Sequence, residues 1–594
     1  MEKEDNKMLF LTAVPDDYYF TWQLELQLYN FNRLGVLNKS IHVLIAYDAQ
    51  KGLNHYFSEF IQKHNDKAQF YTYPDNRQKK RYAPSVRPYL IHQHLSCHPR
   101  LEQEAIFYYD TDIILREQPD FEALTKGNTW YVSDTRNYLD SKYIKNIGGG
   151  NLFKNMCNVV HIDPQLIERN DIDCGGAQYI FKNTTAVFWK KIESDCEDLY
   201  ELMQTYNNHQ AEKEYILKKD KRSKYCGIQS WCADMWAVLW NAWLFGYKVE
   251  IHPELDFCWA IDSIEEWQRK KILHYSGKIE REDKRYFRKT NYVLYPPFYD
   301  NSLKEIQSNT CSFPLAQLIA DYQKELDTDR IDLTDISFLI PVRIDSESRL
   351  ENLYNVVRYL YKYFKTNIII LEADSTSKLN PVDFPSNCSY YFLQDDNPVL
   401  ARTKINNLLI KKAATQFIAI QDTDVIIPVN QIVDSLELLR NKTGDMIYPY
   451  DGTFVSVDSL FKGFFGKVLD PKLFLLNAGK LLTGTKRSYG GCVFIDREKY
   501  IKAGMENEFF TSWGPEDIER QKRMKNLGYI VKRVDGALYH LPHERFNNSC
   551  YHSTEVQILL MEEYLKICRM KKQDLETYIQ TWPWIKKDCT YANN

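Results

Sequence analysis

The chain has 594 residues, a net charge of −4, 44 % hydrophobic and 26 % charged residues. Its length allows roughly two to four domains. Its composition is that of an ordinary globular protein and its charge gives no whole-protein field for nucleic acid. The 13 cysteines are scattered, with no CxxC pair or zinc spacing, so they read as reduced intracellular thiols rather than a disulfide framework. The 42 Tyr, 30 Phe and 12 Trp fit large cores and also sites that stack flat ligands such as sugars or bases. No stretch reaches the ~18 apolar residues of a membrane span. The expectation is a soluble, cytoplasmic protein without an integral membrane segment, able to dock peripherally at the inner membrane.

In chain order, Met8–Val14 is an apolar strand ending in Pro15-Asp16-Asp17. A helical pattern follows from Tyr19 to Leu34, then a second buried strand, Ile41–Tyr47. Strand–helix–strand order predicts a parallel sheet. The basic run Arg77-Gln-Lys-Lys-Arg81 reads as a solvated loop or as a pyrophosphate contact. Strand Ala105–Tyr109 runs straight into Asp110-Thr111-Asp112. The second half repeats this layout. Ile336–Val342 is a strand ending in Arg343-Ile-Asp345, Leu350–Phe364 a helix, Asn367–Glu372 a strand, and Phe417–Gln421 runs into Asp422-Thr423-Asp424. From acidic motif to double glycine is 65 residues in one half (Asp110 to Gly175) and 68 in the other (Asp422 to Gly490). Each half then carries a late histidine after a strand, His274 and His540.

This layout predicts two α/β domains of one kind with mostly parallel sheets. The expected divisions are a first domain over 1–300, a linker and connecting helix over 301–334, a second domain over 335–554 and a helical segment over 555–594. Ligands of open α/β sheets bind at strand carboxyl ends. Paired carboxylates there suit Mg²⁺ or Mn²⁺, which also takes phosphate oxygens and can neutralise a leaving diphosphate. A capped turn is the bland reading of one such triplet. Two copies after apolar strands, each with a downstream Gly-Gly, argue against it.

These residues resemble the GT-A glycosyltransferases, which share a Rossmann-like, nucleotide-sugar-binding sheet and an Asp-x-Asp metal motif. The first half is similar to retaining glycogenin-like and peptidyl hydroxyproline or serine glycosyltransferases. The likeness rests on Tyr108–Leu115, Arg87-Pro88 ahead of a helix, Cys174-Gly175-Gly176-Ala-Gln178-Tyr-Ile-Phe181, Trp231–Trp236 and His274-Tyr-Ser-Gly277-Lys278. It implies Asp110, Asp112 and His274 as metal ligands and Lys278 on the diphosphate, two positions earlier than in the family. It implies substrate contacts at Arg87, Gly175, Gly176 and Gln178. Asp234 stands where relatives carry an acid near the sugars, and capping or pairing within its Trp-rich helix is the alternative.

The second half is similar to inverting β-galactosyltransferase and chondroitin-polymerase-type enzymes. The matching elements are Pro341-Val-Arg343, Ala401-Arg402–Asn406 on a helix, Asp422-Thr-Asp424, Tyr489-Gly490-Gly491–Phe494, Ser512-Trp513-Gly-Pro-Glu516-Asp517 and His540-Leu-Pro-His543. The likeness implies Asp517 as general base, Glu516 as sugar-binding partner, and Asp422, Asp424 and His540 as metal ligands, with His543 the fallback. Substrate contacts are implied at Arg343, Arg402, Gly490, Gly491, Trp513 and His543. A helix N-terminus at Pro515-Glu-Asp fits the same residues. The implied activity is Mn²⁺- or Mg²⁺-dependent transfer of sugars from UDP-sugar donors to a carbohydrate, lipid-linked glycan or peptide acceptor. The alternative is one catalytic domain, the second, beside a degenerate sugar-binding one. A nucleotidyltransferase would need a Gly-rich basic loop where Pro15-Asp16-Asp17 stands.

Overall fold

The computed structural model describes residues 8–219, 221–222, 225–277, 279–280, 283–328, 330–544 and 551–586. The chain divides into two compact units, Met1–Tyr322 and Gln323–Asn594.

In the first unit the strands are β1 (Leu9–Pro15), β2 (Ile41–Tyr47), β3 (Gln69–Pro74), β4 (Ala105–Tyr108), β5 (Ile113–Leu115), β6 (Trp130–Asp134), β7 (Gly175–Lys182), β8 (Val249–Ile251), β9 (Phe257–Trp259) and β10 (Ile272–His274). Seven form one sheet in the order β3-β2-β1-β4-β7-β6-β8. The run from β3 to β4 is parallel, β7 is antiparallel to both neighbours, and β8 is parallel to β6. Strand β1 is apolar on both faces because both are covered. Leu9, Leu11 and Ala13 pack into one cluster with helices Val86–Cys97, Ala186–Lys218 and Ala233–Leu244. Met8, Phe10 and Val14 pack into another with helix Tyr18–Arg33. This is the period-2 alternation of a buried parallel strand. The Asp17 side chain caps helix Tyr18–Arg33 by accepting from Tyr19 N at 2.8 Å, which satisfies one of the donors orphaned at a helix start.

In the second unit the strands are β11 (Ile331–Val342), β12 (Phe364–Asp374), β13 (Cys388–Gln394), β14 (Phe417–Gln421), β15 (Val425–Ile426), β16 (Met446–Tyr448), β17 (Phe454–Ser456), β18 (Leu482–Thr483), β19 (Cys492–Asp496), β20 (Val531–Arg533) and β21 (Leu538–His540). The large sheet is ordered β13-β12-β11-β14-β19-β16-β20. Its parallel and antiparallel pairings follow the pattern of the first unit, strand for strand. A small second sheet follows in each unit, β5-β10-β9 and β15-β21-β17-β18. The fold class is α/β with mostly parallel sheets.

Two local expectations, the start of the second domain's first strand and the place of Arg87-Pro88, are corrected. Strand β11 begins at Ile331, inside the stretch expected as linker, and a register shift between Asp332 and Ser337 marks the join to its buried part. Helix Ser312–Thr328 occupies the expected connecting region, and the division between the units falls within it. Arg87 and Pro88 lie in the first turn of helix Val86–Cys97 rather than ahead of it; proline is tolerated there because first-turn N–H groups have no helical partner. The C-terminal stretch forms helices Thr554–Arg569, Lys572–Gln580 and Pro583–Lys586. Among the described residues no helix is long and apolar enough to cross a membrane.

Candidate active sites

In the first unit, β4 ends at Tyr108, two residues before Asp110, and the turn Asp110-Thr111-Asp112 leads into β5. Strand β10 pairs antiparallel with β5, setting His274 opposite Ile113. The chain thus brings Asp110, Asp112 and His274 together, with one ligand atom from each lying within 4.8 Å of the others. His274 Nε2 is 3.3 Å from Asp112 Oδ1 and 3.9 Å from Asp110 Oδ2, and its ring stacks on Trp259. Thr111 Oγ1 donates to Gln23 Oε1 at 3.0 Å, and Gln27 Nε2 donates to the Asp110 carbonyl at 3.0 Å, so helix Tyr18–Arg33 pins the turn.

Two cations already face these carboxylates. The Arg87 guanidinium bridges Asp110 and Asp234, and Lys289 pairs with Asp112. Burial alone would push the Asp112 carboxyl up, but Lys289 and His274 outweigh it and hold the group well below the usual carboxylate range. Asp234, in the first turn of helix Ala233–Leu244, also accepts from Tyr82 Oη at 2.6 Å. Asp234 is paired, not within its own helix but with the arginine that also holds a motif carboxylate. The sequence did not point to Lys289 or Tyr82. They reach the site from 177 residues beyond Asp112 and 152 residues before Asp234. Lys278 lies outside the described residues.

At the first double glycine the lack of side chains has a packing reason. A Cβ on Gly175 would lie 2.3 Å from Val132 Cγ2 and 2.4 Å from the Ser133 carbonyl oxygen. One on Gly176 would lie 2.7 Å from Met235 Cε and 2.8 Å from Tyr179 Oη. A register irregularity between Val132 and Ser133 sits opposite, and bulged pairings favour glycine. Gln178 is fully buried and accepts from Ser133 Oγ at 2.7 Å. The basic run 77–81 is tied down by acids: Arg77 to Asp75, Lys79 to Asp198 and Arg81 to Glu201.

In the second unit, β14 ends at Gln421 and the turn Asp422-Thr423-Asp424 leads into β15, which pairs antiparallel with β21 so that Val425 faces His540. Here the gathered set is Asp424, His540 and His543, again within 4.8 Å. His543 Nε2 is 3.1 Å from Asp424 Oδ2 and His540 Nε2 is 3.7 Å from Asp424 Oδ1. His543 Nδ1 lies 2.6 Å from the Glu544 carbonyl oxygen. In the neutral ring that contact takes the Nδ1 proton and leaves the Nε2 lone pair toward Asp424. Arg349, from helix Glu347–Tyr363, spans Asp345 at 2.8 Å and Asp424 at 3.4 Å.

Asp422 departs from the expected metal set, because it is turned to Arg402 instead. Burial pushes its carboxyl up to about 7 against the pull of Arg402, with Asp424 and Asp517 adding to the rise. His543, the fallback in the sequence reading, stands closer to Asp424 than His540 does.

A cleft of about 340 Å³ opens on this set, lined among others by Arg343, Arg402, Asp424, Trp513, Asp517 and His543. Asp517 lies in the first turn of helix Glu516–Asn526, and Arg520 one turn on holds its Oδ1 at 2.9 Å. A Cβ on Gly490 would lie 2.6 Å from Asp517 Oδ2, so a side chain there would displace that oxygen. Gly491 has φ +94°, and its carbonyl accepts from Asp422 N at 2.8 Å. Trp513 is 46 % exposed at the cleft edge. Glu516 is buried and accepts from Gly514 N at 2.9 Å. Burial, helped by Asp517, pushes its carboxyl up to about 8. Arg343 reaches the cleft wall but is spent on Ala373, Asn397 and Asp395, with bonds of 2.8, 2.6 and 2.9 Å.

Both sets fit a divalent cation by donor chemistry. Two carboxylates and an imidazole in the first unit, or one carboxylate and two imidazoles in the second, suit Mn²⁺ better than the all-oxygen shell Mg²⁺ prefers.

Residues 480–544 match a family model described as the N-terminal domain of galactosyltransferase. No curated protein matches the chain. Solved structures similar to it include the catalytic domain of Drosophila beta1,4-galactosyltransferase 7 in complex with xylobiose, at 16 % identity, covering 40 % of this chain and 82 % of that one, with a TM-score of 0.26. Another is S. aureus TarS 1-349 in complex with UDP-GlcNAc, at 12 % identity, covering 41 % of this chain and 69 % of that one, with a TM-score of 0.29. The matched segment 480–544 contains Gly490, Gly491, Trp513, Asp517, His540 and His543, which all line the cleft of the second unit.

Proposed function

We propose that this chain is a glycosyltransferase using a nucleotide sugar, most simply a UDP-sugar, with an inverting, metal-dependent site in the second unit and a second nucleotide-sugar site in the first. One observation carries the reading: the segment of the family match, 480–544, contains Asp517, His540 and His543, which line one cleft with Asp424.

In the second unit Asp424, His540 and His543 would hold Mn²⁺. Such a cation, when bound, supplies positive charge to a diphosphate leaving group. Asp517 Oδ2 accepts the proton of an acceptor hydroxyl as that oxygen bonds the anomeric carbon from the face opposite the leaving diphosphate. The sugar–phosphate bond breaks, the nucleoside diphosphate leaves with the electron pair, and the anomeric configuration inverts. Arg520, fixed on Oδ1, orients the base. Trp513 offers a flat apolar face to a pyranose, and Arg402 balances Asp422 beside the donor.

In the first unit the site would carry out a retaining transfer of the glycogenin-like kind, in which the leaving phosphate itself helps deprotonate the acceptor. The acceptor is a glycan, a lipid-linked glycan or a peptide. A second reading, that the first unit binds sugar nucleotide without transferring, has a specific observation behind it: Lys289 occupies Asp112 and Arg87 occupies Asp110. Assaying D110N and D424N separately against a panel of UDP-sugars with Mn²⁺ tests the two-site reading. Each variant is expected to lose one transfer and keep the other. If both variants keep both transfers, the two-site reading fails; if D110N changes binding but no transfer, the first unit is a binding module.

A further inference from the structure

Between β17 and β18 the second unit sends out a loop that leaves at Ser456 and returns at Leu482, which pair with each other across the two strands. It carries helices Ser459–Val468 and Lys472–Leu476 and a short 3-10 turn, Ala478–Lys480. The inner faces pack: Phe465 stacks on Phe474, which stacks in turn on Tyr539 of β21. Four leucines of the loop are bare. Leu482 is 73 % exposed, Leu460 62 %, Leu475 50 % and Leu476 40 %. Along the chain they stand toward the two ends of the loop, which the pairing of Ser456 with Leu482 joins. Leu460 lies in the first turn after the exit strand, Leu475 and Leu476 end the returning helix, and Leu482 is the first residue of the entry strand.

Charge says what kind of surface covers them. Residues 459–487 carry Lys462, Lys467, Lys472, Lys480, Lys486 and Arg487 against a single acid, Asp470, in a chain whose net charge is −4. All of these cations except the buried Lys462 are exposed. Bare leucines ringed by lysines on short helices form the pattern that lies in the headgroup layer of an anionic bilayer. A protein partner is disfavoured by the lysines, a residue type depleted in protein interfaces.

We infer that the segment 459–487 docks the second unit on an anionic membrane surface, its leucines in the headgroup layer and its lysines on the lipid phosphates. The returning leg then forms the edge of the cleft: Phe454 exchanges main-chain bonds with Gly484 and Thr485 (2.8 and 2.9 Å), and Phe454 and Ser488 both line the cleft. Docking therefore holds the cleft mouth at the bilayer. The inference stands on the loop alone and does not depend on the transferase reading.

The test is co-sedimentation of the full chain with vesicles of phosphatidylcholine alone or with about a third phosphatidylglycerol. Binding is expected to the anionic vesicles only, and to fall at least tenfold at about 1 M salt, where the screening length shrinks to about 3 Å. Leu475→Glu/Leu476→Glu/Leu482→Glu and Lys480→Glu/Lys486→Glu/Arg487→Glu are each expected to abolish it, with thermal unfolding unchanged because these side chains are exposed. UDP-sugar turnover in solution is read in parallel, so loss of activity and loss of docking are separate results. No sedimentation of the wild type, or equal sedimentation of both triple variants, overturns the inference. So does a leucine variant that splits a dimer seen by light scattering, since the patch then belongs to a second copy of this chain.

Discussion

Gly490 and Asp517 meet so closely that a single added carbon at Gly490 would lie 2.6 Å from the Asp517 carboxylate oxygen Oδ2. The glycine sets where the base stands. Gly490→Ala is expected to push Asp517 off its position and lower kcat by about tenfold to a hundredfold, since misplacing a reacting group by ~1 Å costs on that order. Binding of UDP should change by less than about threefold. Steady-state kinetics with titration calorimetry separates the two effects, and an unchanged kcat would remove the steric argument.

Asp424 and its two histidines lead to a metal prediction. His543→Ala and His540→Ala are each expected to weaken Mn²⁺ binding by about tenfold to a hundredfold, the scale seen when a site loses a ligand or its support. The loss should be larger for His543, which stands nearer Asp424 and is oriented by the Glu544 carbonyl. Calorimetric titration of Mn²⁺ into each variant measures this. Equal affinity in wild type and His543→Ala would exclude His543 as a ligand.

Glu516 makes stability depend on pH. Its folded-state pKa, about 8, lies above the ordinary 4.5. The folded form therefore prefers the proton. That contribution is fully present below about pH 4.5 and is lost as pH rises through about 8. Glu516→Gln removes the titration while keeping an oxygen for Gly514 N. Between about pH 5 and pH 8 the wild type should lose several degrees of Tm that the variant keeps, given ~2–4 °C per kcal/mol in a domain of this size. Calorimetric scans across that range decide it, and parallel curves for the two proteins would contradict the assignment.

In the first unit, Lys289→Met removes the cation from Asp112. Burial then acts on that carboxylate with only His274 beside it, and unfolding should become easier by about 3 kcal/mol or more, the usual result of stranding a buried charge. Chemical denaturation gives the value. If instead Mn²⁺ restores the lost stability, the carboxylate accepts a metal in place of the lysine.

The strand ends and their acidic turns were legible because an apolar run followed by Asp-Thr-Asp has few alternative readings. The repeat of strand order was legible because the same spacing recurs in both halves. Other features depended on distant chain. Lys289 and Arg349 carry no local mark, since each meets its carboxylate across 177 and 75 residues. The walls of Val132 and Met235 against the first double glycine were invisible in its sequence. Asp422 and Asp110 open the same Asp-Thr-Asp triplet. Asp110 keeps an oxygen toward His274, whereas Asp422 is committed to Arg402, a choice settled by helix Arg402–Lys412 and invisible in the triplet. The exchange of rank between His540 and His543 depends on how the chain turns after β21.

Base catalysis by Asp517 at a metal site is decided by Mn²⁺-dependent turnover of UDP-sugars with a glycan acceptor, measured for the wild type and for Asp517→Asn. The wild type should give product with inverted anomeric configuration and none after metal chelation, and Asp517→Asn should be slower by about 10²–10⁴-fold with UDP binding kept. Equal rates in the two proteins, or full inverting turnover after chelation, would contradict it.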